Sequence, residues 1–251
     1  MHKKTKEKYL IFQYYKSSTG KVPEFVLASM RNVSTFAKMN KYDYKFMQHS
    51  VPLSPYYGIF SPVFDYTLCQ KYDGYLFLDS DVLINHKNAE QAFLDLFENH
   101  DCEIAAWCMN NGDLNTRPVA TSRYFGKYGH FNSGVVFFRR QTYLKLRIFV
   151  ILFMWLHFLN PHSTIVAFLR RLFPSVEFLK NQGGYDQQML NLYVRLLVKK
   201  SKFQSLDSSY NYHLGRLSVD GRINASVVHY HRNCRDLIYT DFHMEERFHE
   251  S

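Results

Sequence analysis

The chain has 251 residues, of which 46% are hydrophobic and 21% charged, and a formal charge of +9. That length suits one large α/β domain with a sizeable core, and the composition excludes a disordered chain. The charge points to an anionic partner such as a nucleotide or an acidic lipid; much of it lies in His2–Lys6 and Lys199–Lys202, read as solvated ends, and no nucleic-acid-binding module accompanies it.

Taken in order, Tyr9–Tyr15 predicts a first strand, and the Ser-Ser-Thr-Gly loop after it lacks the GxGxxG of a dinucleotide site. Pro23 opens a helix with Val26, Met30, Val33 and Ala37 on one face, and Tyr44–Met47 predicts a second strand. Tyr57, Phe60, Phe64 and Leu68 mark another helix, which runs up to Asp73-Gly74. Behind that turn, Tyr75-Leu76-Phe77-Leu78 reads as a buried central strand, followed by Asp79-Ser80-Asp81 and a second apolar run, Val82–Ile84. Ligands of open α/β sheets bind beyond the carboxyl ends of the strands, where these two carboxylates fall. Held so close, they repel each other unless a cation lies between them, and a hard divalent metal resolves that repulsion. The plainer reading is that Asp79 and Asp81 shape a turn.

Asn88–Asn99 predicts a helix with Asn88 and Gln91 in a capping-box relation, Ile104–Cys108 a strand, and Asn110–Tyr128 a polar loop. Phe131–Phe138 is a strand entered through Asn132-Ser133-Gly134, with Arg139 and Arg140 read as solvent charges at its end. Two apolar helical stretches follow, Thr142–Leu159 and Ser163–Phe173, split by Asn160-Pro161. Their strongest hydrophobic run, Ile148–Leu159, is too short to span a bilayer; as an apolar element flanked by arginines, the 147–173 segment is read as a peripheral membrane or partner contact, beside the plainer reading of a helix packed under a lid. Gln182–Gln188 leads into a helix expected to turn Met189, Leu190, Tyr193, Leu196 and Leu197 inward, and Ser226–His231 is a short strand carrying His229 and His231. The four cysteines show neither CxxC nor framework spacing, which argues against a zinc site or a disulfide scaffold. Strands alternating with helices give an α/β fold.

An apolar strand ending in Asp-Ser-Asp, an Asn-Ser-Gly corner, a Gly-Gly-Tyr-Asp-Gln helix start and a terminal strand in Val-Val-His-Tyr-x-x-Asn-Cys-Arg occur in this order. The set resembles the GT-A class of nucleotide-sugar glycosyltransferases, within it the family of fungal galactosyl- and mannosyltransferases and plant xyloglucan xylosyltransferases, which has relatives in large DNA viruses and bacteria. The resemblance implies a single GT-A (Rossmann-like) domain over 1–251, with a central mixed, mostly parallel sheet flanked by helices and a helical insertion at about 141–180. It implies Asp79, Asp81 and His229 as ligands of Mn²⁺ (or Mg²⁺), with Asp79, Ser80, Asp81, Ser133, Gly134 and Arg235 along a nucleoside-diphosphate sugar donor. Asn132, Asp186 and Gln187 would line the sugar and a glycan acceptor, and transfer would retain the anomeric configuration. Asn233 stands where the family has glycine, segment 148–173 has no counterpart, and the family's usual N-terminal anchor is missing, so a cytoplasmic location is expected.

Each site residue has a plainer reading beside this one. His229 would be a half-buried strand histidine with His231 a rival ligand on the same face, Asp186 a helix N-cap, and Asn132 a turn former. Two other functions compete. A haloacid-dehalogenase-like phosphatase also has an apolar strand ending in Asp-x-Asp, but near its N-terminus and with Thr or Val where this chain has Leu83. The other is a non-catalytic sugar- or protein-binding module that has kept the fold, against which the intact Asp79, Asp81 and His229 speak.

Overall fold

The computed structural model describes residues 7–17, 19–50, 55–109, 130–158, 186–214, 217–218, 220–230 and 232–249. Its centre is a six-stranded sheet built from β1 (Tyr9–Tyr14), β2 (Asp43–Met47), β3 (Gly74–Leu78), β5 (Ile104–Met109), β6 (His130–Arg139) and β7 (Phe203–Leu206). The order is β2-β1-β3-β6-β5-β7. Three of the five pairings are parallel, and β6 runs antiparallel to both its neighbours. A second sheet of three short strands joins β4 (Val82–Ile84), β8 (Tyr212–Leu214) and β9 (Val227–Tyr230) in the order β4-β9-β8.

The period-two alternation of the strands sorts their side chains onto two cores. Phe12, Tyr75, Phe77, Ile104, Val136 and Phe138 face one side of the large sheet. Covering that side are a 3₁₀ turn (Pro55–Phe60), α2 (Ser61–Phe64), α3 (Tyr66–Lys71), α5 (Arg140–Phe158) and α6 (Asp186–Leu197). Ile11, Leu76, Leu78, Ala105, Val135 and Phe137 face the other side, under α1 (Glu24–Met39) and α4 (His86–Glu98). Because β3 is covered on both faces all five of its residues are buried, which is why it reads as an unbroken apolar run. The small sheet packs on α7 (Leu237–His249) and α1 through Leu83, Val228, Tyr230, Ile238, Phe242 and Ala28.

Several elements differ from the sequence expectation. The helix expected over Tyr57–Leu68 is broken at Asp65, whose carboxylate caps α3 by accepting from the Leu68 N–H at 3.0 Å. The cap of α4 is Asn85, accepting from the Asn88 N–H, and Gln91 bonds Asp95 instead of closing a capping box. Leu196 and Leu197 are exposed; Val194 and Val198 take the inward positions beside Met189, Leu190 and Tyr193. Arg139 is buried, donating to the Phe97 carbonyl and the Tyr9 hydroxyl, so it ties β6 to β1 and α4 instead of ending in solvent. Arg140 is exposed and pairs with Asp73 at 3.1 Å. Strands β7 and β8 went unread in the sequence, being only four and three residues long. The Asn110–Tyr128 loop, the helix expected over Ser163–Phe173 and most of the 141–180 insertion lie outside the described residues.

Candidate metal and nucleotide site

The site forms where the strand order of the large sheet changes direction. β3 leaves the sheet at Leu78, which pairs with Val135 of the antiparallel β6. The next residue is held by both neighbours. The Asp79 N–H donates to the Gly134 carbonyl at 2.8 Å, and the Asp79 carbonyl accepts from Gln13 Nε2 at 2.9 Å. Gln13 is fully buried at the end of β1, where its amide also reaches Ser29 Oγ and accepts from the Tyr44 hydroxyl. A buried amide satisfied on three sides is a stiff support, since any shift would leave a polar group unpaired. Two residues on, the Asp81 carbonyl accepts from the Tyr230 N–H at 2.8 Å, and Val82 pairs with His229. The short crossing from one sheet to the other thus fixes both aspartates and carries half-buried Ser80 between them.

Asn32, buried in α1, stabilises the same crossing from behind. Its side-chain amide bonds both backbone groups of Ile84, accepting from the N–H at 2.7 Å and donating to the carbonyl at 3.1 Å. It does for β4 what a neighbouring strand would do.

The side chains then converge. His229 Nε2 lies 3.1 Å from Asp81 Oδ1 and 3.5 Å from Asp79 Oδ2. The three ligand-capable atoms all fall within 4.8 Å of one another. An ion with oxygen and nitrogen ligands about 2.1 Å away needs them roughly 3–4 Å apart, so the donor set fits a small divalent cation with little movement. Asp81 and His229 are buried, whereas the Asp79 side chain is 37% exposed and faces the open side. Arg235, in the turn after β9, places Nε and Nη2 at 2.9 and 2.7 Å from Asp81 Oδ2. Its guanidinium lies over the Phe25 ring, 4.9 Å from the centroid.

Charge follows this geometry. Burial alone pushes the Asp81 carboxyl up, but the adjacent His229 and Arg235 outweigh it and hold the group well below the usual carboxylate range. Burial likewise pushes the His229 imidazole down, and the Asp81 and Asp79 carboxylates outweigh that, so its net shift is upward.

Of the residues expected in the site, Asp79, Asp81, His229 and Arg235 are in direct contact, Ser80 joins the two aspartates, and Asn132, Ser133 and Gly134 form the adjoining corner of β6. Asn132 Oδ1 accepts from the Gly134 N–H at 2.7 Å and so shapes the corner, as its plainer reading expected. Gly134 is required there: a Cβ on it would lie 2.6 Å from the His229 ring and 2.8 Å from Asn132 Oδ1. Asp186 and Gln187 open α6, but their side chains, like His231, lie outside the described residues. The sequence reading missed Gln13 and Asn211. Asn211 is fully buried, ends the 3₁₀ turn Ser208–Asn211 and contacts both Asn132 and His229. A glutamine within an apolar strand was a signal for the first; a lone asparagine after a turn gave none for the second.

No family model matches the chain, and no curated protein does. Solved structures do. A glycosyltransferase involved in glycosylation of the major capsid of PBCV-1 superposes with a TM-score of 0.57 at 16% identity, over 94% of this chain and 100% of that one. The galactosyltransferase LgtC, in complex with donor and acceptor sugar analogues, gives 0.52 at 13% identity over 94% of each chain. The glycosyltransferase GlyE of Streptococcus pneumoniae TIGR4 gives 0.52 at 12% identity, over 98% of this chain and 64% of that one. At these identities the likeness is one of architecture, and the architecture is the GT-A glycosyltransferase fold.

Proposed function

We propose that the protein is a metal-dependent glycosyltransferase that moves a sugar from a nucleoside-diphosphate donor to a hydroxyl of a glycan, with the whole chain forming one GT-A domain. The observation that carries the reading is the Asp79–Asp81–His229 cluster at the carboxyl end of β3, where an α/β sheet of this kind binds its ligand. A bare phosphatase reading loses its support with the fold, because the solved structures that this chain resembles are glycosyltransferases.

In this reading Asp81 and His229 hold the divalent ion from the buried side, and half-exposed Asp79 stands between the ion and the donor's ribose. Two carboxylates with one imidazole suit Mn²⁺ better than Mg²⁺, which prefers oxygen ligands and retained waters. When bound, the ion offsets the charge that develops on the diphosphate as the glycosidic bond breaks. Arg235 is a fixed cation beside the same position. Its guanidinium, which lies over Phe25 and bonds Asp81 Oδ2, would exchange that carboxylate for the phosphate oxygens. Ser80, Ser133 and Gly134 present small, close-packed surface to the donor. Asn132, Asp186 and Gln187 are assigned to the sugar and acceptor side, and transfer is assigned retention. UDP is the expected carrier.

The membrane contact assigned to 147–173 has one supporting observation. α5 buries Tyr143, Leu146 and Val150 against the sheet but exposes Ile148, Ile151 and Leu152 on its opposite side. A helix apolar on both sides serves a second apolar phase, and the chain's formal charge of +9 suits an anionic lipid surface. Among the described residues no helix is long and apolar enough to cross a membrane.

The activity is tested by incubating the protein with UDP- and GDP-sugars in Mn²⁺ and measuring nucleotide release with and without glycan acceptors. Release from one donor class, lost in Asp81→Asn, supports the reading. Binding of donor with no turnover on any acceptor would favour a non-catalytic module.

A further inference from the structure

The metal-facing histidine is held by a hydrogen-bond relay whose direction is set by the backbone. The Gly134 N–H can only donate, and it donates to Asn132 Oδ1 at 2.7 Å. The atom of Asn211 that meets the same Oδ1, at 2.8 Å, must therefore be its amide nitrogen. That orientation turns Asn211 Oδ1 toward His229 Nδ1, 3.1 Å away, and an amide oxygen can only accept. His229 Nδ1 must then carry a proton. The remaining ring nitrogen, Nε2, is the one facing Asp81 and Asp79.

The relay is rigidly mounted. Asn211 is fully buried and lies at the end of a turn capped by Asp207, which accepts from the Ser209 N–H at 2.7 Å. The turn is pinned to the small sheet by the Ser226 N–H, which donates to the Ser209 carbonyl, and to α4 by the Tyr210 hydroxyl, which donates to the Ala92 carbonyl. The His213 ring, in register with His229 on the neighbouring strand, packs against the imidazole with centroids 4.3 Å apart.

We infer that Asn211 is a positioning residue for the proposed metal site, holding the Nδ1 proton of His229 so that Nε2 presents its lone pair to the ion, and joining the metal site to the Asn132 corner through one amide. This rests on the metal-dependent reading above. Outer-shell partners of ligating histidines typically contribute 10–100-fold to metal affinity. The two ends of the amide have separable roles, which gives the test its resolution. Asn211→Leu removes both ends at similar volume. Asn211→Asp keeps an acceptor for Nδ1–H but sets an oxygen against Asn132 Oδ1, breaking only the link to the corner.

The experiment is Mn²⁺ binding without nucleotide, by calorimetry, on wild type, Asn211→Leu and Asn211→Asp, each checked for folding by thermal melting, with donor KM and kcat measured alongside. We expect Asn211→Leu to bind Mn²⁺ about 10–100-fold more weakly. Asn211→Asp should bind it at least as tightly as wild type while losing donor turnover. Wild-type Mn²⁺ affinity in Asn211→Leu, or equal loss in both variants, overturns the inference and leaves the metal site standing. Failure of the wild type itself to bind Mn²⁺, either alone or with UDP present, overturns the metal reading and this inference with it. Should neither variant fold, ¹⁵N shifts of His229 in Mg²⁺-loaded wild type decide: a protonated Nδ1 and a ligated Nε2 support the relay, and the reverse assignment overturns it.

Discussion

Asp81 is shared, one oxygen to each neighbour: Oδ2 accepts both donors of Arg235, at 2.7 and 2.9 Å, while Oδ1 faces His229 Nε2 at 3.1 Å. Two basic side chains on one buried carboxylate make it the electrostatic hinge of the site. A divalent ion has to share Asp81 with the arginine, and a diphosphate offers that arginine a better partner.

The first prediction follows from this sharing. Arg235→Ala should bind Mn²⁺ alone as tightly as wild type or more tightly, because a competing cation has gone. UDP binding in the presence of Mn²⁺ should fall about tenfold or more, as expected for a lost charge-assisted contact to phosphate. Calorimetry of the ion and the nucleotide in turn separates the two effects. Weakening of Mn²⁺ and UDP together would remove the distinction between ligand and phosphate contact.

Protonation supplies the second. The folded-state pKa of Asp81 is depressed, so its contribution to stability is complete above about 4, the unfolded value, and is lost as pH falls toward the folded one. His229 is raised in the fold, so without metal its contribution is complete below about 6.5 and fades as pH rises through the folded value. The melting-temperature gap between metal-free wild type and His229→Gln should therefore narrow as pH rises above about 6.5. Saturating Mn²⁺ must reverse the slope, because the ion requires Nε2 without its proton. A gap that is flat with pH in both conditions would contradict the ion pair.

Close packing supplies the third. In Gly134→Ala the new methyl would lie 2.6 Å from the His229 ring, which is buried and cannot swing away. The expected cost is about 1–3 kcal/mol of stability, typical of overpacking, and Mn²⁺ affinity should fall as the imidazole is displaced. Thermal melts and Mn²⁺ titration of this one variant check both parts.

Support from behind the site gives a fourth. Asn32→Leu removes the amide that pairs both backbone groups of Ile84, leaving them buried and unsatisfied. A loss of about 1–3 kcal/mol is expected. Urea unfolding measures it, and a neutral result would show that β4 is held by its pairing with β9 alone.

The exposed stripe of α5 gives the last. Wild type should co-sediment with vesicles containing anionic lipid, and the double variant Ile148→Asp, Leu152→Asp should not, with both proteins retaining the same donor hydrolysis in solution. Equal sedimentation of the two would remove α5 from the contact.

What the sequence made legible was decided by how local the cause was. The β3 strand could be read because burial on both faces leaves a continuous apolar run, bounded here by Asp73-Gly74. The clustering of Asp79, Asp81 and His229 could be read because their residue types carry chemistry and their order resembles that of a glycosyltransferase family. Arg139 was misjudged because its partners, Tyr9 and the Phe97 carbonyl, come from remote parts of the chain that only the folded sheet brings beside it. Leu196 and Leu197 were misjudged because the helical spacing leaves the inward face of α6 ambiguous, and Val194 and Val198 fit the sheet instead. Asn211 could not be found at all: nothing in Ser-Ser-Tyr-Asn-Tyr announces that its amide will lie between an asparagine 79 residues away and a histidine 18 residues on.

The most direct measurement is calorimetric titration of UDP and GDP, each with and without Mn²⁺, into wild type and Asp81→Asn. Binding of one nucleotide that requires Mn²⁺ and disappears in the variant is the predicted result. Binding of neither nucleotide under any condition, or binding indifferent to both the metal and Asp81, would contradict the donor site.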